Sequence, residues 1–73
     1  MSNETMSIWL TQGEGEDELR MSMVLQKEVT DKMGEIASRY PVGYWDKKQL
    51  DLLDIAREEL EIEKAEKEQQ SQQ

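Results

Sequence analysis

The chain has 73 residues, with 17 Asp and Glu against 9 Lys and Arg, so its formal net charge is −8. It contains neither histidine nor cysteine. The missing side chains exclude the usual nucleophile and base pairs, disulfides and most structural zinc sites, and we expect no enzyme activity, no metal and no cofactor. A length of about 70 residues supports one small domain that buries about 60% of its unfolded surface.

The acidic balance argues against nucleic-acid binding, because affinity for the phosphate backbone comes from clustered Lys and Arg. Such charge speeds encounters with basic protein surfaces, although it is also typical of any soluble protein. No apolar run approaches the roughly 20 residues that span a bilayer, and residues 1–5 lack the basic and apolar regions of a signal peptide. We therefore expect a cytosolic protein without membrane contact.

The first half of the chain is predicted to form a strand or extended arm over residues 6–11, then a helix. The arm is β-prone, and Gly13 and Gly15 after it mark a flexible turn. Beyond the turn, apolar residues recur at helical spacing on one face, and charge pairs four apart lie on the outside. The apolar residues are Leu19, Met23, Val29, Met33, Ile36, Ala37 and Tyr40, and the pairs are Glu28/Lys32 and Glu35/Arg39. The pattern predicts a helix from about 16 to 39.

A second interpretation of residues 19–25 stays open. The apolar residues Leu19, Met21, Met23 and Leu25 also alternate at the period of a strand. Such a strand can pair with residues 8–10 as a hairpin, and the helix then begins near Gln26. We prefer the long helix, because Met, Leu, Gln and Lys are good helix formers. It leaves Met21 and Val24 off the main apolar face, in contact with the strand, the solvent or a partner.

A turn over residues 40–45 is predicted to separate this helix from a second one. Pro41 disfavours helix at the residue before it, and the Pro41/Gly43 spacing matches the second and fourth positions of a type I turn. Asp46 is the predicted N-cap of a helix over about 47–65, with Gln49 completing the cap. Its apolar stripe is Leu50, Leu52, Leu53, Ala56 and Leu60, whereas Ile55 and Ile62 fall on the other side. Residues 66–73 lack an apolar anchor, which predicts a disordered tail.

These elements predict a mainly α fold: a helical hairpin of two amphipathic helices with a short N-terminal strand or arm, one domain over residues 1–65. Three of the four aromatic residues, Tyr40, Tyr44 and Trp45, are close in sequence. We expect them to share a cluster with Trp9 from the arm. Any aromatic side chain that remains on the surface is a candidate for partner contact, because such residues dominate binding energies.

Two modes of partner binding follow from the residues. In the first, the backbone of residues 6–11 pairs with an extended segment of a partner. In the second, the acidic second helix faces a basic groove. The candidate contact residues for partner binding are Ile8, Trp9, Leu10, Met21, Val24 and Tyr44, and the acidic residues of the second mode are Asp51, Asp54, Glu58, Glu59, Glu61 and Glu63. We expect the chain to act as a monomer.

The segments Met-Ser-Ile-Trp-Leu-Thr at 6–11, Gly-Glu-Gly-Glu-Asp-Glu at 13–18 and Arg-Tyr-Pro-Val-Gly-Tyr-Trp-Asp at 39–46 resemble the small transcription regulators of lytic Xanthomonas phages. The resemblance extends over the whole chain. It implies a protein that binds host RNA polymerase through the N-terminal region of the β′ subunit and the β flap. Such a protein displaces the σ factor during initiation and suppresses termination during elongation in the host cytoplasm. No catalytic residue is implied.

Two alternative functions remain. One is an acidic DNA mimic that inhibits a host nuclease or restriction enzyme, which requires carboxylates ordered along one surface, whereas the sequence intersperses them with Lys and Arg. The other is an antitoxin-like adaptor, in which Ile55 and Ile62 pack against a second copy or a toxin. Either function depends on binding and not on chemistry.

Overall fold

The computed structural model describes residues 3–71 and combines a two-stranded sheet with two helices. Its elements are β1 at Thr5–Gln12, β2 at Leu19–Gln26, α1 at Lys27–Ala37 and α2 at Gln49–Ser71. The strands pair antiparallel, from Thr5 opposite Gln26 to Gln12 opposite Leu19. The prediction of a mainly α helical hairpin is therefore wrong, and the fold is mixed α and β.

The alternative hairpin for residues 19–25 is present, and the preferred prediction of a long helix from 16 to 39 is wrong, because β2 followed by α1 occupies this segment. Pairing lets the two strands share one apolar face, on which Leu10 and Leu25 are only 2% and 3% exposed. A helix through residues 19–25 leaves the β-prone residues 6–11 without a pairing partner. The free energy gained from strand pairing and burial exceeds the free energy that the modest helix propensity of this segment contributes to a helix.

The loop between the strands depends on Gly13. Its φ is +86°, and a Cβ at this position would lie 2.8 Å from the Asp17 carbonyl oxygen. Glycine adopts this backbone region without the steric cost that other residues incur. The loop then closes with a 3₁₀ turn at Gly15–Asp17, so Glu16 and Asp17 lie at the hairpin tip and not in the first turn of a long helix.

Both helices pack beneath the inner face of the sheet and against each other. The buried apolar side chains come from all four elements: Leu10, Leu25, Met33, Ile36, Leu52, Leu53 and Ala56. The predicted apolar faces of α1 beyond residue 27 and of α2 are confirmed. Ile55 and Ile62 lie on the exposed side of α2, as their spacing predicts.

The start of α2 differs from its prediction. The helix begins at Gln49, and its first N–H groups are capped by a side chain from β1 and not by Asp46. The Gln12 Oε1 atom accepts hydrogen bonds from the backbone N–H of Leu50 at 2.9 Å and of Asp51 at 3.4 Å. A cap supplied by another element cannot be found from local spacing, which is why the capping pattern of Asp46 and Gln49 was misleading.

The turn before α2 and the end of α2 also depart from expectation. Tyr44 N–H donates to the Pro41 carbonyl, and Gly43 has a φ of +86°. Gly43 therefore takes the third position, as in a type II turn, and not the fourth position of a type I turn. At its other end α2 continues to Ser71, beyond the predicted end near residue 65, because Glu, Lys, Ala and Gln are all good helix formers. Residues 72 and 73 of the predicted tail lie outside the described residues.

Candidate partner-binding surface

The outer face of the sheet, which neither α1 nor α2 covers, carries side chains from both strands. β1 contributes Ser7 and Trp9, and β2 contributes Arg20, Ser22 and Val24. Trp9 is 65% exposed and Val24 is 66% exposed. Because side chains alternate along a strand, these residues are excluded from the core by the same register that buries Leu10 and Leu25.

Trp9 lies at the centre of this outer face. It is paired with Ser22, while Val24 and Arg20 occupy the two diagonal positions on β2. The guanidinium carbon of Arg20 lies 5.8 Å from the centroid of the Trp9 ring, within the range of a cation–π contact. Arg20 therefore orients the indole while most of its surface remains available. A large aromatic side chain held in this way is suited to anchor a protein contact.

The sequence-predicted contact residues fall in three different places. Trp9 and Val24 lie together on the outer face, whereas Leu10 is buried in the core and Ile8 packs partly against it. Met21 lies on the inner side of β2 and is 36% exposed. Tyr44 is in the turn before α2, so the structure brings Trp9 and Val24 together but not the whole set.

Tyr40, Tyr44 and Trp45 form the expected aromatic cluster, with ring centroids 4.8 to 5.0 Å apart. Trp9 is not part of it, because the register of β1 directs its side chain to the outer face. The Lys48 Nζ atom lies 4.4 Å from the centroid of the Tyr44 ring. The Trp45 Nε1 atom is buried and has no hydrogen-bond partner in the described part of the chain. The cluster closes the end of the core beside a shallow 320 Å³ depression formed by the turn.

The two edges of the sheet differ. Along β1, the Thr11 N–H donates to Gln49 Oε1 at 2.8 Å and the Gly13 N–H donates to the Lys47 carbonyl at 2.9 Å. These contacts close the half of the β1 edge nearest the hairpin tip. Along β2, no hydrogen bond from residues 3–71 reaches the outward backbone groups. The alternating residues 19–25 are the signal of this edge in the sequence, but the preferred long helix leaves no edge there.

Carboxylates line the solvent side of α2. Asp51, Asp54, Glu58 and Glu61 are all exposed and recur at three- and four-residue spacing, so they share one helix face. Ile55 and Ile62 lie beside them, 36% and 51% exposed. Of the six acidic residues first considered for this helix, Glu63 points elsewhere, because it binds Lys32 of α1. The exposed Arg57 borders this row, three residues from Asp54 and four from Glu61, in keeping with the expectation that basic residues are interspersed.

Lys32 is the one charged residue that is buried in the described part of the chain. The prediction of an exposed ion pair with Glu28 is therefore wrong. Its Nζ atom donates to Glu63 Oε2 at 2.7 Å and lies 3.4 Å from Glu35 Oε2. The hydrogen bond to Glu63 raises the pKa of Lys32 above its ordinary value of 10.5, against the opposing effect of burial. The predicted pair of Glu35 and Arg39 is confirmed, at 3.0 Å.

Neither a metal site nor a membrane span is found in the part of the chain that the structure describes. No three acidic residues there lie close enough together to hold a metal ion. Neither helix has a stretch that is long and apolar enough to cross a bilayer. Comparison with known proteins gives no matching family model, no similar curated protein and no similar solved structure.

Proposed function

We propose that this protein regulates transcription by binding bacterial RNA polymerase in the host cytoplasm. The observation that carries the proposal is Trp9, a large aromatic side chain left 65% exposed in a domain that has few apolar residues with which to build a core. An exposed aromatic that is held by Arg20 and flanked by Val24 supports a protein contact. The resemblance to small phage regulators supports RNA polymerase as the partner.

The net charge of −8 fits such a partner, because RNA polymerase handles nucleic acid and carries basic surfaces. A small ligand inhibits initiation if it binds the σ-free enzyme more tightly than the σ-bound enzyme, since the difference in affinity sets the shift in equilibrium. The same ligand suppresses termination if it stays on the elongating enzyme and stabilises that form. Both effects require binding alone, and neither requires a catalytic group.

The test is capture of purified polymerase core and σ-containing holoenzyme by the tagged chain, scored for σ release. We expect the chain to bind both forms and to release σ from holoenzyme. Trp9→Ala is expected to weaken capture at least about tenfold, as hot-spot truncations do, with little loss of helicity. Ser7→Ala, on the same face, is the matched control and should capture normally. Failure of the folded, unsubstituted chain to bind either form would contradict the proposal.

The acidic face of α2 favours a second candidate, a DNA mimic that occupies the substrate groove of a nuclease or restriction enzyme. Asp51, Asp54, Glu58 and Glu61 form the ordered row of carboxylates that such a protein needs. A mimic inhibits cleavage in a nuclease assay, and neutralising these four residues relieves the inhibition. In the polymerase capture, the same four substitutions would leave σ release intact if the first proposal is right.

A further inference from the structure

The outward backbone groups of β2 follow from its register with β1. The Lys27 N–H donates to the Glu4 carbonyl at 2.9 Å, so odd-numbered residues of this part of the chain face β1. The Thr11 N–H, which points away from β2 to Gln49, fixes the same alternation from the other strand. Antiparallel pairing therefore turns the N–H and C=O groups of Arg20, Ser22 and Val24 to the free edge.

This edge lacks the features that usually protect an exposed strand. β2 is eight residues long and contains no proline and no lysine, and its pairing with β1 is continuous, without a bulge. The charged side chain along it, Arg20, is drawn over the Trp9 ring on the outer face. An exposed regular edge of this kind pairs readily with another extended chain.

Apolar side chains flank the edge on both faces of the sheet. Val24 lies on the outer face, 66% exposed. On the inner face the tip end of β2 bears Leu19 and Met21, which are 54% and 36% exposed. A strand added beside β2 places its own alternating side chains against these residues, which is the way that strand addition gains specificity.

The charge at the hairpin tip indicates the chemistry of the added strand. Glu16, Asp17 and Glu18 come directly before β2, and no ion pair within residues 3–71 joins them to a cation. Glu14 nearby is paired with Lys47 at 3.2 Å. An incoming segment with basic residues at this end gains attraction, whereas a second copy of the chain brings a further charge of −8.

We propose that β2 binds an extended apolar segment of a partner protein by strand addition at its free edge, with basic residues of that segment beside Glu16, Asp17 and Glu18. Where the partner is RNA polymerase, this inference rests on the proposed function and assigns its mode of contact. The aromatic outer face then lies next to the added strand, so Trp9 and the edge belong to one continuous surface.

Proline substitution at one edge and then at the other tests the inference. Ser22→Pro removes an outward N–H from β2 without breaking a bond to β1, and Thr5→Pro, at the first residue of β1, does the same on the opposite edge of the sheet. With polymerase core as the probe, Ser22→Pro is expected to lower affinity about tenfold. The substitution removes one or two hydrogen bonds to the added strand, and the proline ring hinders its approach. Thr5→Pro, which lies at the start of β1 away from Trp9, should bind within about twofold of the unsubstituted chain. The reverse order, or equal binding, would overturn the inference while leaving the proposed function in place.

A measurement without substitutions covers the case in which a proline variant fails to fold. Hydrogen exchange of the unsubstituted chain in the polymerase complex should slow at Arg20, Ser22 and Val24, and unchanged exchange there would overturn strand addition. If the chain does not bind polymerase, the proposed function fails, and a synthetic peptide of alternating Val and Lys becomes the probe. Slowed exchange at these three amides with the peptide supports the edge, and its absence rejects it.

Discussion

Lys32 is the residue whose environment differs most from its sequence-based prediction. Its spacing from Glu28 predicts an exposed ion pair within α1, but the residue is buried and its Nζ atom binds Glu63 of α2. Lysine can bury its methylene groups and keep its charge at a polar partner, so a position beside the core is compatible with its chemistry. One side chain thereby joins the two helices.

We expect the Lys32–Glu63 contact to make stability depend on pH in the alkaline range. The pKa of Lys32 is raised above 10.5 in the folded chain, so its contribution is complete below that pH and is lost as the pH rises through the folded pKa. The thermal midpoint of the unsubstituted chain should fall more between about pH 9 and about pH 11.5 than that of Glu63→Gln. Both proteins share the same tyrosines, which cancel in the comparison. Parallel pH profiles would show that the contact adds no stability.

At the scale of elements, the sheet and α2 are joined by side chains of β1. Gln12 accepts from the first N–H groups of α2 and also donates to Asp51 Oδ2 at 3.2 Å. Thr11 contributes a second link, because its backbone N–H donates to Gln49 Oε1 at 2.8 Å and its hydroxyl donates to the Asp46 carbonyl at 2.6 Å. The end of β1 therefore sets where α2 begins and holds the sheet over the helices.

Gln12→Ala is expected to reduce the free energy of unfolding by about 1 kcal/mol, the usual effect of removing a helix cap. Denaturant unfolding followed by circular dichroism measures this change. Gln26→Ala is the matched control, since Gln26 precedes α1 but its side chain makes no capping bond. The role of Gln12 as a cap is wrong if both variants unfold at the same denaturant concentration.

At the scale of the whole molecule, charge and apolar contact are distributed over different surfaces. The outer sheet face and the β2 edge carry Trp9, Val24 and Met21, whereas the solvent side of α2 carries a row of exposed carboxylates and a second acidic group lies at the hairpin tip. Long-range attraction governs the rate of encounter, and close apolar contact governs the lifetime of a complex. The two surfaces can thus contribute to different steps of binding to a basic partner.

This division predicts how salt acts on the proposed binding to polymerase. Raising salt from about 50 mM to about 500 mM should lower the association rate strongly and change the dissociation rate little, because screening acts mainly on exposed, distant charges. A variant with Asp54→Asn, Glu58→Gln and Glu61→Gln should associate more slowly at low salt and depend less on salt. Stopped-flow kinetics provides both rates. A dissociation rate that rises steeply with salt for the unsubstituted chain, but not for this variant, would instead place the main contact on α2.

The sequence by itself determined much of this protein. Its composition predicts a small acidic domain, and its apolar spacing correctly locates the faces of α1 beyond residue 27 and of α2, because that periodicity is local to each helix. Of the six predicted contact residues, Trp9 and Val24 lie on the exposed outer face and Leu10 is buried, and contact with a partner stays a prediction. The local pattern could not decide whether residues 19–25 form a strand or a helix, since the apolar residues there fit the periodicity of both.

Only the tertiary structure decided what depends on residues far apart in the chain. Pairing with β1 makes residues 19–26 a strand, and that register buries Leu10 while it exposes Trp9. The cap of α2 comes from Gln12, and the ion pair of Lys32 comes from Glu63, each from a different element. Local propensities differ by less than the free energy gained from such contacts, so the contacts between elements selected the fold and with it the surface offered to a partner.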